Sequence, residues 1–242
     1  MIWTEESAAL LGRAYQYGSA AGTLADWIVP RLKAHAHVCD AGCGVGALSL
    51  EMARRGHAVT ALDISEIALE QLRKSAGSAP ARIRALCEDA RAHTPDTPYD
   101  AMIFSFYGGM EECLAIARRC CMGDVFYISR NYDAHRFSVS RHPVRYGGYR
   151  EARELLDRLG MAYEAKECAL DMGQPFENLD EARRFFMLYS RDDPALITDA
   201  FLTSRLVPSK DKDYPLYLPH LRRTGMLCFH VKDIPPMGVE HR

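Results

Sequence analysis

Three glycines and two aspartates form the most informative group in the sequence. Gly42, Gly44 and Gly46 alternate after a short apolar run, and Asp40 precedes the first of them by two positions. Asp63 follows in the segment Ala-Leu-Asp-Ile-Ser. Glycines allow a sharp turn and a close approach to a ligand, and the N–H groups of a following helix favour electron-rich groups. Because a carboxylate can accept hydrogen bonds from both hydroxyl groups of a ribose, the pattern predicts a nucleotide-binding turn.

The glycine turn alone fits two classes of cofactor. The run from Gly42 to Ala47 also satisfies the Gly-x-Gly-x-x-Gly/Ala pattern of dinucleotide-binding enzymes, which place an acid about 20 residues further on. Asp40 favours a different ligand, because its charge would repel a pyrophosphate and attract the ammonium and sulfonium groups of a methionine-type cofactor. Glu88 and Asp89 close the predicted third strand, where an acid can accept a hydrogen bond from an adenine amino group.

A polar and aromatic rim follows the predicted fourth strand. Ser105 and Tyr107 stand at its carboxyl end, which is where open α/β sheets bind their ligands. Tyr15 lies in an N-terminal aromatic segment that we expect to precede the first helix and to fold over the site. His135 follows the fifth strand and is a candidate general base, although a lone histidine in a loop is more often simply exposed.

Strands and helices alternate along most of the chain, which predicts a mostly parallel sheet with helices on both faces. Apolar patterning predicts these strands: His37–Asp40, Ala58–Asp63, Ala81–Cys87, Asp100–Phe106, Asp124–Ser129, Ala162–Ala169 and Thr224–Lys232. Residues 170–223 interrupt the alternation and contain a predicted helix at Leu179–Tyr189, which is followed by four prolines. We expect a single domain over residues 1–242, with a small helical cap at residues 170–223 and a second lid at residues 1–23.

The composition places limits on the function. A chain of 242 residues that is 48% hydrophobic can bury one substantial core. Its net charge of −2 predicts no strong attraction to nucleic acid or to a membrane surface. No signal peptide and no membrane-spanning run is visible, so a cytoplasmic location is expected. The eight cysteines lack a Cys-x-x-Cys pair, which favours buried reduced thiols and no metal site.

These motifs resemble those of the class I S-adenosylmethionine-dependent methyltransferases. The run Asp40–Gly46 is similar to the first motif of that family, Asp63 to its ribose-binding acid and Asp89 to its adenine-site acid. The segment Asp100–Tyr107 resembles its fourth-strand motif, and the whole resemblance covers roughly residues 24–168 and the final strand. It implies a three-layer α/β/α Rossmann-like fold with a seven-stranded, mostly parallel sheet and an antiparallel last strand.

The resemblance also implies S-adenosylmethionine as the cofactor and methyl transfer to an oxygen, nitrogen or sulfur atom of a small-molecule substrate. The residues expected to bind the cofactor are Tyr15, Asp40, Gly42, Cys43, Gly44, Gly46, Asp63, Ile64, Glu88, Asp89, Ala90 and Ser105. Tyr107 and His135 are candidate bases for an alcohol or phenol acceptor.

Several alternatives stay open: an RNA or protein methyltransferase, a regulator that binds the cofactor without catalysis, and a dinucleotide oxidoreductase. The near-neutral charge and the lack of an Asn-Pro-Pro-Tyr-type motif argue against an RNA substrate. We expect a monomer or homodimer that binds neither nucleic acid nor membrane.

Overall fold

A seven-stranded sheet forms the centre of the computed structural model, which describes residues 3–77, 82–140, 142–144 and 148–236. The strands of the chain are β1 His37–Ala41, β2 Ala58–Asp63, β3 Ile83–Cys87, β4 Tyr99–Ser105, β5 Cys121–Arg130, β6 Glu164–Asp171, β7 Gln174–Phe176, β8 Val207–Pro208, β9 Leu216–Leu218 and β10 Leu221–His230. The order in the large sheet is β3-β2-β1-β4-β5-β10-β6. Only β10 runs antiparallel to its neighbours, so the predicted sheet and its antiparallel last strand are confirmed.

Helices cover both faces of this sheet. They are α1 Glu5–Tyr17, α2 Ala20–Ile28, α3 Ala47–Arg54, α4 Glu66–Ala76, α5 Met110–Cys120, α6 Tyr149–Arg158, α7 Leu179–Tyr189 and α8 Asp199–Arg205. Successive side chains of a strand point to opposite faces. Accordingly, Phe104 of β4 is buried in the core that contains α5 and α6, whereas its neighbour Ile103 is buried in the core that contains α2 and α3. The three-layer α/β/α prediction is confirmed.

Residues 170–223 contain more than the predicted helical cap. Helices α7 and α8 are present, but β7, β9 and β8 also form a small antiparallel sheet. The cap has its own apolar core, which includes Phe176, Phe186 and Leu202. Leu10 of α1 is buried in the same core. The N-terminal helix and the cap therefore pack together.

The N-terminal segment differs from the prediction as well. Tyr15 lies within α1 and not ahead of the first helix. The helix begins at a capping box, in which the Thr4 side chain accepts a hydrogen bond from the Ser7 N–H and the Ser7 side chain accepts one from the Thr4 N–H. Among the described residues, no helix has the length and apolar character needed to cross a membrane.

Candidate active site

A cavity of about 780 Å³ lies at the carboxyl ends of β1, β2, β3 and β4. Most of the residues singled out in the sequence line it: Tyr15, Gly42, Cys43, Gly44, Asp63, Ile64, Glu88, Asp89, Ala90, Ser105 and Tyr107. Asp40 is buried at the end of β1, behind the glycine turn. Leu11 and Tyr15 bring α1 into the cavity wall, whereas no described residue between 170 and 221 lines it. Arg222, near the end of the predicted cap, lines the cavity, while the apolar core of the cap packs against Leu10 of α1.

The glycine turn has no room for side chains. Gly42, Gly44 and Gly46 have φ angles of +70°, +55° and +69°, in the left-handed region that favours glycine. A Cβ atom at Gly42 would lie 2.2 Å from Cδ2 of Tyr107, and one at Gly46 would lie 2.4 Å from Cδ1 of Leu72. The turn therefore brings bare backbone to the cavity, directly before α3.

Asp63 connects the turn to the next helix. Its Oδ2 accepts a hydrogen bond from the Gly44 N–H at 2.8 Å, and its Oδ1 accepts one from the Ser65 N–H at 2.9 Å. Ser65 in turn caps α4, because its side chain accepts a hydrogen bond from the Ala68 N–H. Each carboxylate oxygen retains a further lone pair. Asp63 is thus fixed in place while it can still accept hydrogen bonds from a ligand in the cavity.

Asp40 has an unusual environment for a carboxylate. It is 1% exposed, and its Oδ2 accepts a hydrogen bond from the Ser49 hydroxyl at 2.6 Å. Its Oδ1 is buried and has no hydrogen-bond partner among the described residues. Burial, reinforced by the nearby charge of Asp63, raises the pKa of Asp40 to about 6. An unpaired buried oxygen of this kind is stabilised by a cationic donor.

The two acids after β3 are both engaged with neighbours. Both oxygens of Asp89 accept hydrogen bonds from the Arg91 guanidinium, which lowers the pKa of Asp89. Oε2 of Glu88 lies 2.7 Å from Nδ1 of His93. A ligand amino group must share these carboxylate oxygens with the protein. Ile64, at the same end of the cavity, is 72% exposed, which suits a flat apolar ligand surface.

Comparison with known proteins decides the class of this site. Residues 38–121 match the family model described as a methyltransferase domain. The chain contains a methyltransferase domain, and its motifs and fold support a class I S-adenosylmethionine-dependent methyltransferase. The matched segment runs from β1 to the start of β5 and contains the glycine turn, Asp63 and the acids after β3. No curated protein matches the sequence.

Solved structures share the fold of the methyltransferase at low sequence identity. The YcgJ protein of Bacillus subtilis is 14% identical with a TM-score of 0.55, and the match covers 87% of this chain and 97% of that protein. The precorrin 8w decarboxylase of Methanobacterium thermoautotrophicum is 16% identical with a TM-score of 0.51, covering 86% of this chain and 87% of that one. At these identities the likeness concerns the fold alone.

The cavity fits the cofactor of the methyltransferase, S-adenosylmethionine. The unpaired Oδ1 of Asp40 offers an acceptor to a cationic group. The turn around Gly42 and Gly44 presents backbone without side chains to the cavity. Asp63 retains acceptor capacity for ribose hydroxyl groups. Asp40 therefore suits the amino acid end of the cofactor, the glycine turn allows the cofactor to approach the backbone, and Asp63 suits its ribose.

The two candidate bases, Tyr107 and His135, have different surroundings. The Tyr107 hydroxyl donates a hydrogen bond to Oε1 of Glu112 at 3.2 Å, and burial together with the Glu112 charge raises the pKa of Tyr107. Its phenol therefore stays protonated at neutral pH and suits a wall of the pocket. His135 does not line the cavity, and its Nδ1 lies 2.8 Å from the Ser138 hydroxyl. The structure does not bring His135 together with the other predicted residues.

Sequence reasoning missed several residues of the cavity wall: Trp3, Leu11, Phe106, Glu112 and Arg222. Phe106 has a φ of +56°, which is uncommon for a bulky residue and is not visible in the sequence. The Arg222 guanidinium stacks over the Phe106 ring, with Cζ 3.4 Å from the ring centroid. A visible signal was the Arg222-Arg223 pair directly before the predicted strand Thr224–Lys232, because a strand that extends over both residues turns one of them inward.

No group of three or more His, Cys, Asp or Glu residues within the described part of the chain could hold a metal ion. The eight cysteines are free thiols.

Proposed function

We propose that the methyltransferase acts on a small-molecule acceptor. The observation that carries this proposal is the position of α1. Leu11 and Tyr15 wall the cavity, while Leu10 and Arg13 fix the helix to the cap. A reaction space between α1 and the sheet suits a compact acceptor better than a folded RNA or protein.

The contribution of the protein to such a reaction is alignment and exclusion of water. When bound, S-adenosylmethionine supplies an electrophilic methyl group on a sulfonium sulfur. The Asp40 carboxylate and the backbone of the glycine turn would fix the amino acid end, and Asp63 the ribose. Phe106 and Tyr107 would shield the reacting atoms from water. Holding the acceptor in line at a near-attack distance of about 3–3.5 Å accounts for much of the rate of such reactions.

The acceptor atom stays open among oxygen, nitrogen and sulfur. A thiolate or a neutral amine needs no base. An alcohol or phenol would gain from one, and Tyr107 is protonated while His135 is outside the cavity wall. This arrangement favours an acceptor that is already nucleophilic at neutral pH.

Transfer of labelled methyl groups tests the proposal. The protein is incubated with methyl-tritiated S-adenosylmethionine and with three separate fractions of a cell extract: an ultrafiltrate of small molecules, purified RNA, and protein. Label is expected in the ultrafiltrate, and it should disappear with Asp63→Ala. Label confined to RNA or protein would overturn the small-molecule proposal. Tight S-adenosylhomocysteine binding with no transfer to any fraction would instead indicate a non-catalytic binding protein.

A further inference from the structure

A cluster of cationic side chains adjoins the cofactor cavity, at the junction of β10, the loop after β5 and the cap. We call Arg136, Arg205, His220 and Arg222 the basic cluster. Aromatic rings separate its members. Cζ of Arg136 lies 4.6 Å from the Tyr132 ring centroid and 5.2 Å from that of Phe137, whose own centroid is 5.0 Å from that of His220.

Three side-chain nitrogen atoms of this cluster lack partners. Nη1 of Arg136, Nε2 of His220 and Nε of Arg222 are buried and make no hydrogen bond among the described residues. None of the cluster's arginines forms an ion pair within the part of the chain that the structure describes. Buried polar groups are almost always hydrogen-bonded, and an unpaired buried charge is costly. Several unpaired donors in one place indicate a ligand that supplies the acceptors.

Burial and the neighbouring positive charges both disfavour protonation within the basic cluster. Burial and the charges of Arg136, Arg222 and Arg205 lower the pKa of His220 to about 3. Burial and the Arg222 charge lower the pKa of Arg136 to about 10. His220 is therefore a neutral ring between guanidinium groups at neutral pH. The local potential is positive, although the whole chain carries a net charge of −2.

Arg222 connects the basic cluster to the cavity. Both Arg222 and the Phe106 ring beneath it line the space next to the glycine turn. Arg136 and His220 do not line that space, so an anion that reaches them extends beyond the cofactor. Burial raises the pKa of the Tyr15 hydroxyl, while the Arg222 charge opposes this rise and the Asp40 charge adds to it. Arg222 and Asp40 therefore act on the same group in the cavity wall.

We infer that the acceptor carries an oxyanionic group, a carboxylate or a phosphate, which Arg136 and Arg222 bind with the help of His220. This inference rests on the proposed small-molecule function and narrows its substrate class. A guanidinium presents planar pairs of donors that match the oxygens of either group. The surrounding rings of Phe106, Tyr132 and Phe137 suit an apolar or aromatic body on the acceptor. The nucleophilic atom would then point towards the cofactor, with the anion anchored below the cap.

Thermal shift and calorimetry with simple probes test the inference. The full-length protein, saturated with S-adenosylhomocysteine, is titrated with benzoate, with its neutral analogue benzamide, and with inorganic phosphate. Benzoate or phosphate should bind and raise Tm, whereas benzamide should not. The anion with the higher affinity indicates whether the acceptor carries a carboxylate or a phosphate. Arg136→Met should lower the affinity for that anion by at least about tenfold and leave the affinity for S-adenosylhomocysteine unchanged. Because it removes an uncompensated charge, this variant should also fold at least as stably as the wild type.

Arg223→Met is the matched control. Arg223 is adjacent in β10, is exposed, and lies on the opposite side of the strand. The Arg223→Met variant loses the same charge as Arg136→Met and should retain anion binding. Equal loss in both variants would overturn the inference, because the effect would then be one of net charge. Absence of anion binding would overturn it too. If Arg136→Met weakens S-adenosylhomocysteine as much as the anion, the basic cluster serves the carboxylate of the cofactor and the inference is wrong.

The two proposals can fail separately. If the labelled methyl group enters only RNA or protein, the small-molecule function fails whatever the anion titration shows. If a small molecule is labelled but neither anion binds, the function stands and the inference about the acceptor's charge fails.

Discussion

At the level of single residues, Asp40 and Asp63 have different surroundings and are expected to bind different parts of the cofactor. Asp63 accepts hydrogen bonds from two backbone N–H groups. Asp40 receives one hydrogen bond from Ser49 and keeps one oxygen unpaired in the interior. Burial therefore dominates at Asp40 and raises its pKa to about 6. The Asp40 carboxylate can therefore respond to a bound cation near neutral pH.

The affinity for S-adenosylhomocysteine should therefore depend on pH. That ligand retains the ammonium group of the cofactor, which binds best to ionised Asp40. A folded-state pKa of about 6 means that the charge of Asp40 is gained as pH rises through 6 and lost below it. Calorimetry should show about tenfold tighter binding at pH 7 than at pH 5, because each unit below the pKa reduces the ionised fraction about tenfold.

Two variants check that Asp40 is the group responsible. Asp40→Asn should weaken binding at pH 7 and flatten the profile between pH 5 and pH 7. Ser49→Ala removes the hydrogen bond that lowers the pKa of Asp40, so the midpoint should move above pH 6. An unchanged profile in both variants would assign the pH dependence to a different group.

At the level of elements, the central part of the fold could be predicted because its signals are local. The turn between β1 and α3 is specified by alternating glycines within nine residues of sequence, Val38–Gly46, and the buried strands by continuous apolar runs. The short strands β7 and β9 could not be predicted. Each has three residues, one of them includes Pro175, and they pair across about 40 positions, so their pairing depends on tertiary contacts.

The residues of the candidate site also differ in whether local sequence or tertiary contacts specify them. Gly42 and Asp63 are visible because a short stretch of chain specifies them. The cavity wall that includes Phe106 and Arg222 depends on β10 returning beside β5 from more than 90 residues away. Helix α1 was partly predictable, because the Thr4 and Ser7 capping box at its start is visible in the sequence. Its attachment to the cap required the structure.

The attachment of α1 to the cap includes a largely buried ion pair. Nη1 of Arg13 lies 2.8 Å from both carboxylate oxygens of Glu181, and the side chains are 16% and 10% exposed. Arg13→Met should lower the free energy of unfolding by about 3 kcal/mol, because it leaves a buried carboxylate without its cation. Urea denaturation measures this change.

Arg184→Met is the control for that experiment, because it cuts an ion pair between the same two helices. The Arg184–Glu6 pair has side chains that are 55% and 47% exposed, and exposed pairs contribute about 0–1 kcal/mol. A small effect is therefore expected. Similar losses for Arg13→Met and Arg184→Met would show that burial does not distinguish the two pairs and that α1 is held mainly by Leu10.

At the level of the whole molecule, the cofactor cavity joins parts that are far apart in the sequence. Its wall combines Leu11 of α1, the turn after β1, Tyr107 after β4 and Arg222 of β10. A ligand in this space contacts the N-terminal helix and the final strand at once. Since α1 also shares the core of the cap, binding links the stability of the cap to that of the sheet. Ligand binding should therefore stabilise the chain as one cooperative unit.

The expected stabilisation follows from mass action. A ligand at 100 times its Kd that binds only the folded state adds about 2.7 kcal/mol. For a chain of this size, each kcal/mol raises Tm by about 2–4 °C, which predicts a shift of about 5–11 °C with S-adenosylhomocysteine. The increase should occur in a single transition seen by both circular dichroism and tryptophan fluorescence, because Trp3 lines the cavity and Trp27 lies in the core beneath α2. NADH at the same concentration should give no shift, since its pyrophosphate would meet the buried Asp40. A shift with NADH, or two separate transitions in the presence of S-adenosylhomocysteine, would contradict the ligand assignment or the coupling, respectively.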